Sequence, residues 1–207
     1  MALDAAKVLI GTADQQNTTG AIRNGDIVST VPTDFATALA AANALGDSGY
    51  VSEDGLEMGN DISTADIREW NHNVIRKVLD TFDNMLTWSL IQFDEASWKQ
   101  ALGADYVEKV AATADHGEQL HVKLGAHLAP VQSWAFMLKD GDTRVIIFVP
   151  RGQITTLDSI TFNATEPVAL PVTLSCYDDG TGETCHIFID DGKTTSAKTV
   201  AKTASKD

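Results

Sequence analysis

Trp134-Ala135-Phe136-Met137-Leu138-Lys139-Asp140-Gly141-Asp142-Thr143-Arg144-Val145-Ile146-Ile147-Phe148-Val149-Pro150 decides the fold class. Two runs of aromatic and β-branched residues flank Asp140-Gly141, a pair that accepts the positive φ of a tight hairpin turn. A symmetric register about that pair sets Leu138 opposite Thr143 and Phe136 opposite Val145. Downstream, Leu170 to Tyr177 and Cys185 to Asp190 read as a second hairpin around Asp179-Gly180-Thr181-Gly182. Cys176 and Cys185 then stand at equal distances from the turn centre as a cross-strand thiol pair, reduced in a cytosol.

The upstream half mixes element types. Residues 7–11 form a short apolar run ended by Gly11, which reads as a first strand before a polar loop from Thr12 to Gly20. Asp34 opens the Ala- and Leu-rich segment Phe35 to Leu45, a short helix stopped at Gly46. Residues 46–69 hold seven acids and one base with little periodicity, and this reads as a long solvated loop. Asp94 is placed as an N-cap for a helix over Glu95 to Leu102, with Gly103 past its end. Tyr106 to Ala112 is ambiguous, and Glu118 to Leu124 reads as a strand. Many strands, several hairpin turns and few helices imply a mainly β chain with some α structure, a β-sandwich or open barrel with a flanking helix. Trp70, Trp88, Trp98 and Trp134 are spread through these elements, as core residues would be.

A chain of 207 residues with 43% hydrophobic content buries one sizeable core, so residues 1–192 are expected to form a single domain. The segment 193–207 is Lys, Thr, Ala and Ser with Val200, and reads as a flexible C-terminal arm. The opening residues lack a secretory pattern, and no apolar window reaches the ~20 residues of a membrane helix. Net charge is −14, and since the arm carries four lysines and one aspartate, residues 1–192 hold −17. Such a surface repels a phosphate backbone, which excludes ordinary DNA binding, and net acidity of this size also serves simply to keep a cytosolic protein soluble.

Sites for chemistry fail on context. Gly46-Asp47-Ser48-Gly49 matches a protease nucleophile segment, yet the first histidine, His72, comes after it rather than before. His116 and His121 are five apart instead of four, and His121 with His127 lacks a third ligand. Asp178, Asp179 and Glu183 do not follow a calcium-loop spacing, and Gly192-Lys193-Thr194 lacks the first glycine of a phosphate loop. The reading is a non-enzyme with no cofactor and no metal.

Three segments carry a resemblance: Val149-Pro150-Arg151-Gly152-Gln153-Ile154, Glu166-Pro167-Val168-Ala169-Leu170-Pro171-Val172-Thr173-Leu174, and Gly49-Tyr50-Val51-Ser52-Glu53-Asp54-Gly55-Leu56. With these segments in their order along the chain, 49–56, 149–154 and 166–174, the stretch from about Lys7 to Gly192 resembles the major tail protein, the tail tube subunit, of long-tailed siphovirus-type bacteriophages. The resemblance implies a β-sandwich core, rings of six copies, and loops or arms that join one ring to the next. It also implies a virion tail assembled in the host cytoplasm, with a tape-measure protein, a tail terminator and tail-tip proteins as partners, no membrane, and viral DNA transiently in the lumen. Residues 73–82 have apolar positions at helical spacing, but the resemblance implies a strand, paired through Asp83-Asn84 with Met85 to Phe93. The β-branched content of Val74, Ile75, Val78 and Thr81 supports the strand. Tyr50, Val51, Leu56 and Met58, apolar residues of an acidic loop, are the expected ring-stacking contacts. The alternatives are a tube protein of a contractile tail or secretion machine, and a soluble carbohydrate-binding or adhesive β-sandwich.

Overall fold

The computed structural model describes residues 7–14 and 20–193. All of the expected C-terminal arm after Lys193 lies outside them. Strands β8 (Gln132–Asp140) and β9 (Thr143–Leu157) form the central hairpin. Its register is Leu138↔Val145 and Phe136↔Ile147, two residues away from the symmetric expectation. The turn explains the shift. Gly141, with φ +58°, is its first central residue and Asp142 does not adopt positive φ, so the loop is Gly141-Asp142 rather than Asp140-Gly141. Asp140 instead pairs with Thr143. At the other end Pro150, which has no N–H to donate, sits where the ladder shifts register, and its carbonyl accepts from the Ser133 hydroxyl at 2.6 Å.

This hairpin is buried on both faces. Trp134, Phe136, Ile147 and Val149 enter one apolar cluster; Ala135, Met137, Ile146 and Phe148 enter another. Helix α1 (Phe35–Ala44) covers the second cluster with Ala38 and Ala42, and is started by a capping box in which Asp34 accepts from the Thr37 amide. Helix α2 (Glu95–Leu102) covers the first with Trp98, Ala101 and Leu102, again N-capped as expected, here by Asp94. Trp88, Trp134 and Phe136 pack edge-on at 5.2–5.4 Å about Trp88, a geometry that favours aromatic quadrupoles.

Among the described residues, an open nine-stranded sheet runs around the hairpin. Its order is β3 (Gly46–Asp47), β2 (Ile22–Gly25), β8, β9, β10 (Leu170–Cys176), β5 (Val74–Leu90), β4 (Val51–Arg68). Two further strands join it off this path: β1 (Thr12–Ala13) on β8, and β11 (His186–Asp190) on β9. A separate pair, β6 (Val107–Val110) with β7 (Gln119–Val122), lies beside α2. The mainly β class with open sheets agrees with the sequence reading, with two flanking α-helices among the described residues instead of one.

Five further expectations are corrected. Residues 7–11 are exposed, and the first strand is β1, which pairs through Thr12 and Ala13. Residues 51–68 form a strand of 18 residues, not a loop; its side chains are mostly uncovered within the protomer, so burial left no apolar alternation to read. Residues 74–82 are a strand as inferred, but Asp83-Asn84 is no turn: β5 runs straight through it to Leu90 and pairs with β4 along its length. Strands β10 and β11 do not pair with each other, because both use the same edge of β9, end to end, at Gly152–Leu157 and Arg144–Phe148. Trp88, Trp98 and Trp134 are core residues, whereas Trp70 is 97% exposed at the β4–β5 turn.

Candidate assembly surfaces

The β4–β5 hairpin outgrows the sheet that supports it. Its last register contact with β10 is Met85 opposite Ser175, and from Asn60 and Asn84 outward it is a bare two-stranded ribbon. Nine residues at ~3.3 Å each give a projection of about 30 Å. Residues directly opposite each other share a face, so Ile62 and Phe82, and Thr64 and Leu79, continue the face on which Met58 and Leu86 meet the core. No described residue covers that continuation: Ile62 is 60% and Leu79 61% exposed, and Phe82 and Val74 are also open. The opposite face adds Ile67 and Val78.

The ribbon's tip is nevertheless well ordered by polar contacts. The Glu69 amide donates to the Asn73 carbonyl at 3.0 Å, the His72 amide to Glu69 at 2.9 Å, and Arg68 Nη1 to the His72 carbonyl at 3.0 Å. His72 takes the left-handed conformation, φ 64°, that closes the turn. Asp66 lies between Arg68 (2.9 Å) and Lys77 (2.8 Å). An isolated two-stranded ribbon is marginal in water, and these bonds hold its tip together.

A second surface is the outer face of β9, β10, β5 and β4. Opposite the buried Leu170, Val172 and Leu174 stand hydroxyls: Thr87 meets Thr173 at 3.2 Å and Thr155 meets Ser175 at 2.7 Å. Towards β4 this face carries Glu57, Asp61 and Asp83. Residues 51–63, 80–90, 152–157 and 170–176, which build it, contain no Lys or Arg.

The sequence-derived stacking candidates divide. Val51, Leu56 and Met58 are half-buried and pack against the protomer's own core, while Tyr50 is 63% exposed. Cys176 is buried and Cys185 half-buried, both as free thiols in the same apolar cluster, where β10 ends and β11 is about to begin. Burial pushes the Cys176 thiol up to about 12, with the neighbouring Cys185 adding to it, and pushes Cys185 up to about 11. Ser48, of the protease-like segment, is fully buried and its hydroxyl donates to the Ile22 carbonyl at 2.6 Å. His127 stacks on Tyr106 at 3.5 Å, and His121 faces Glu108 at 3.6 Å. Among the described residues no group of three His, Cys, Asp or Glu side chains is placed to hold a metal ion, and no helix is long and apolar enough to cross a membrane. The exposed stripe on 62–82 was missed because its residues sit on two strands and meet only through the register.

A strand-rich protomer whose longest strand pair leaves an apolar stripe in water presents the kind of surface an assembly subunit uses. The family profile described as phage tail tube protein matches residues 1–201, and the chain belongs to that family, a structural component of the virion tail. Among solved structures it is similar to the tube terminating cap of the anti-feeding prophage, at 13% identity over 88% of this chain and 96% of that one, with a TM-score of 0.41. No curated protein matches.

Proposed function

We propose that this chain is the repeating subunit of a siphovirus-type tail tube: six copies close into a ring, rings stack, and viral DNA leaves through the lumen. The observation that carries the reading is the β4–β5 ribbon, about 30 Å of paired strand with an uncovered apolar stripe. Strand β4 is also a long free edge, and joining such edges around a closed ring removes them. The lysine-free face bearing Glu57, Asp61 and Asp83 supplies the acidic lumen wall, from which phosphates are repelled over about a Debye length. Residues 1–192 act as one domain and 193–207 as its arm, with Tyr50 among the ring-to-ring contacts. A tape-measure protein, a terminator and tail-tip proteins complete the tail in the host cytoplasm.

Negative-stain microscopy of the purified protein tests this. Rings or tubes of uniform diameter are expected. A chain that stays monomeric at high concentration in light scattering, with no tubes in its virion, refutes it.

A further inference from the structure

The geometry points to a knob-and-socket contact between copies: Trp70 at the ribbon tip of one subunit enters an apolar cleft at the ribbon base of another. The inference rests on the tube reading above and names the receptor for the tip.

The knob is unusual. Trp70 is 97% exposed, yet the turn that carries it is fixed by the Glu69–Asn73 and Glu69–His72 backbone hydrogen bonds. A large aromatic side chain carried on a fixed turn and left in water is the form of a binding anchor, because little backbone entropy remains to be lost on docking.

The socket is a cleft of about 330 Å³ walled by Ile22, Val51, Leu56, Phe136 and Leu138, with Glu53 on its lining. An apolar cavity of roughly 150 Å³ holds benzene, so this one has room for an indole. Val51 and Leu56 are two of the residues that the sequence marks for stacking; here they line the receiving wall.

Two observations select a second copy as the occupant. The first is reach: the tip stands about 30 Å beyond the sheet, while the cleft lies at the base of the same ribbon, so a subunit cannot fill its own socket. The second is charge. Residues 47–54, beside the cleft, carry Asp47, Glu53 and Asp54 and no base. Residues 65–77, around the knob, carry Arg68, Arg76 and Lys77 against Asp66 and Glu69, a positive end on a chain that is otherwise strongly acidic. Tip and base are therefore complementary between copies, whereas base to base is repulsive, which favours one polarity of stacking. Such a contact joins two different surfaces and so propagates as a filament.

The test uses the full chain. Trp70→Ala should fold normally by circular dichroism and raise the protein concentration needed for tube growth roughly 30-fold, the loss expected for a central tryptophan anchor. Chains carrying both Ser52→Cys and Asn71→Cys, which keep Trp70, oxidised after assembly, should give covalent dimers and ladders in tubes but not in dissociated subunits, with each single variant as control. Tubes of wild-type yield and length from Trp70→Ala overturn the inference, as does a double-cysteine tube that does not crosslink. Failure of the wild-type chain to form tubes refutes the tube reading itself, whereas tubes that grow without Trp70 refute only the knob and socket.

Discussion

Replacing Ile62 and Leu79 together by Ser separates the ribbon's role in assembly from any role in the protomer's own stability. Full burial of one such side chain contributes roughly 1.5–3 kcal/mol. Some 60% of each is still in water in the isolated subunit, Ile62 at 60% and Leu79 at 61%. About 1–2 kcal/mol per residue is therefore left to be gained on assembly, and about 2–4 kcal/mol per subunit for the pair. Repeated around a ring, that loss should abolish tubes at concentrations where the wild-type chain forms them. The monomer gives up only the covered two-fifths of each side chain, so its thermal midpoint should fall by only a few degrees. Sedimentation velocity and negative-stain microscopy read the first effect, and circular dichroism melting of subunits reads the second. Unchanged tube yield would refute the claim that the stripe is an interface. A collapse of the melting transition would show that it is part of the protomer's core.

Four further outcomes are expected. Leu56→Ser with Met58→Ser should destabilise the fold by about 2–4 kcal/mol, since both pack against the first apolar cluster, and a melt matching wild type would contradict that packing. Neutralising Glu57, Asp61 and Asp83 to their amides should leave assembly intact and slow DNA ejection; a solved tube with these residues on its outside would remove the reason. The Asp179 carboxyl, held down to about 2 by the Thr181 hydroxyl and amide and then by His186, favours the folded state fully above pH ~4. That contribution disappears as pH falls through about 2, so Thr181→Ala should move the carboxyl's NMR titration back towards 3.8, and an unmoved midpoint would refute the assignment. With their thiols pushed up to about 12 and 11, Cys176 and Cys185 should react slowly with a thiol reagent at pH 8 until the chain is unfolded, and fast labelling of the native protein would contradict their burial.

Local signals with local causes were legible in the sequence. Asp34 and Asp94 mark the starts of both helices because a carboxylate that accepts an orphan amide acts within one turn. The aromatic and β-branched runs around Asp140 give the central hairpin for the same reason, and the β-branched residues of 74–82 give a strand against their helical spacing. Tertiary structure alone decided which strands meet and what stays uncovered. Whether Asp140-Gly141 or Gly141-Asp142 fills the turn moves the register by two residues, and only the ladder that follows selects between them. Strands β10 and β11 look like a hairpin by sequence, yet each finds a better edge on β9. Hydrophobic alternation reports burial within the chain; residues 51–68 lack it because most of their surface has no partner in the protomer, and so a strand was read as a loop. The same absence, once Ile62, Leu79 and Phe82 are brought onto one face by pairing, is what exposes the assembly surface.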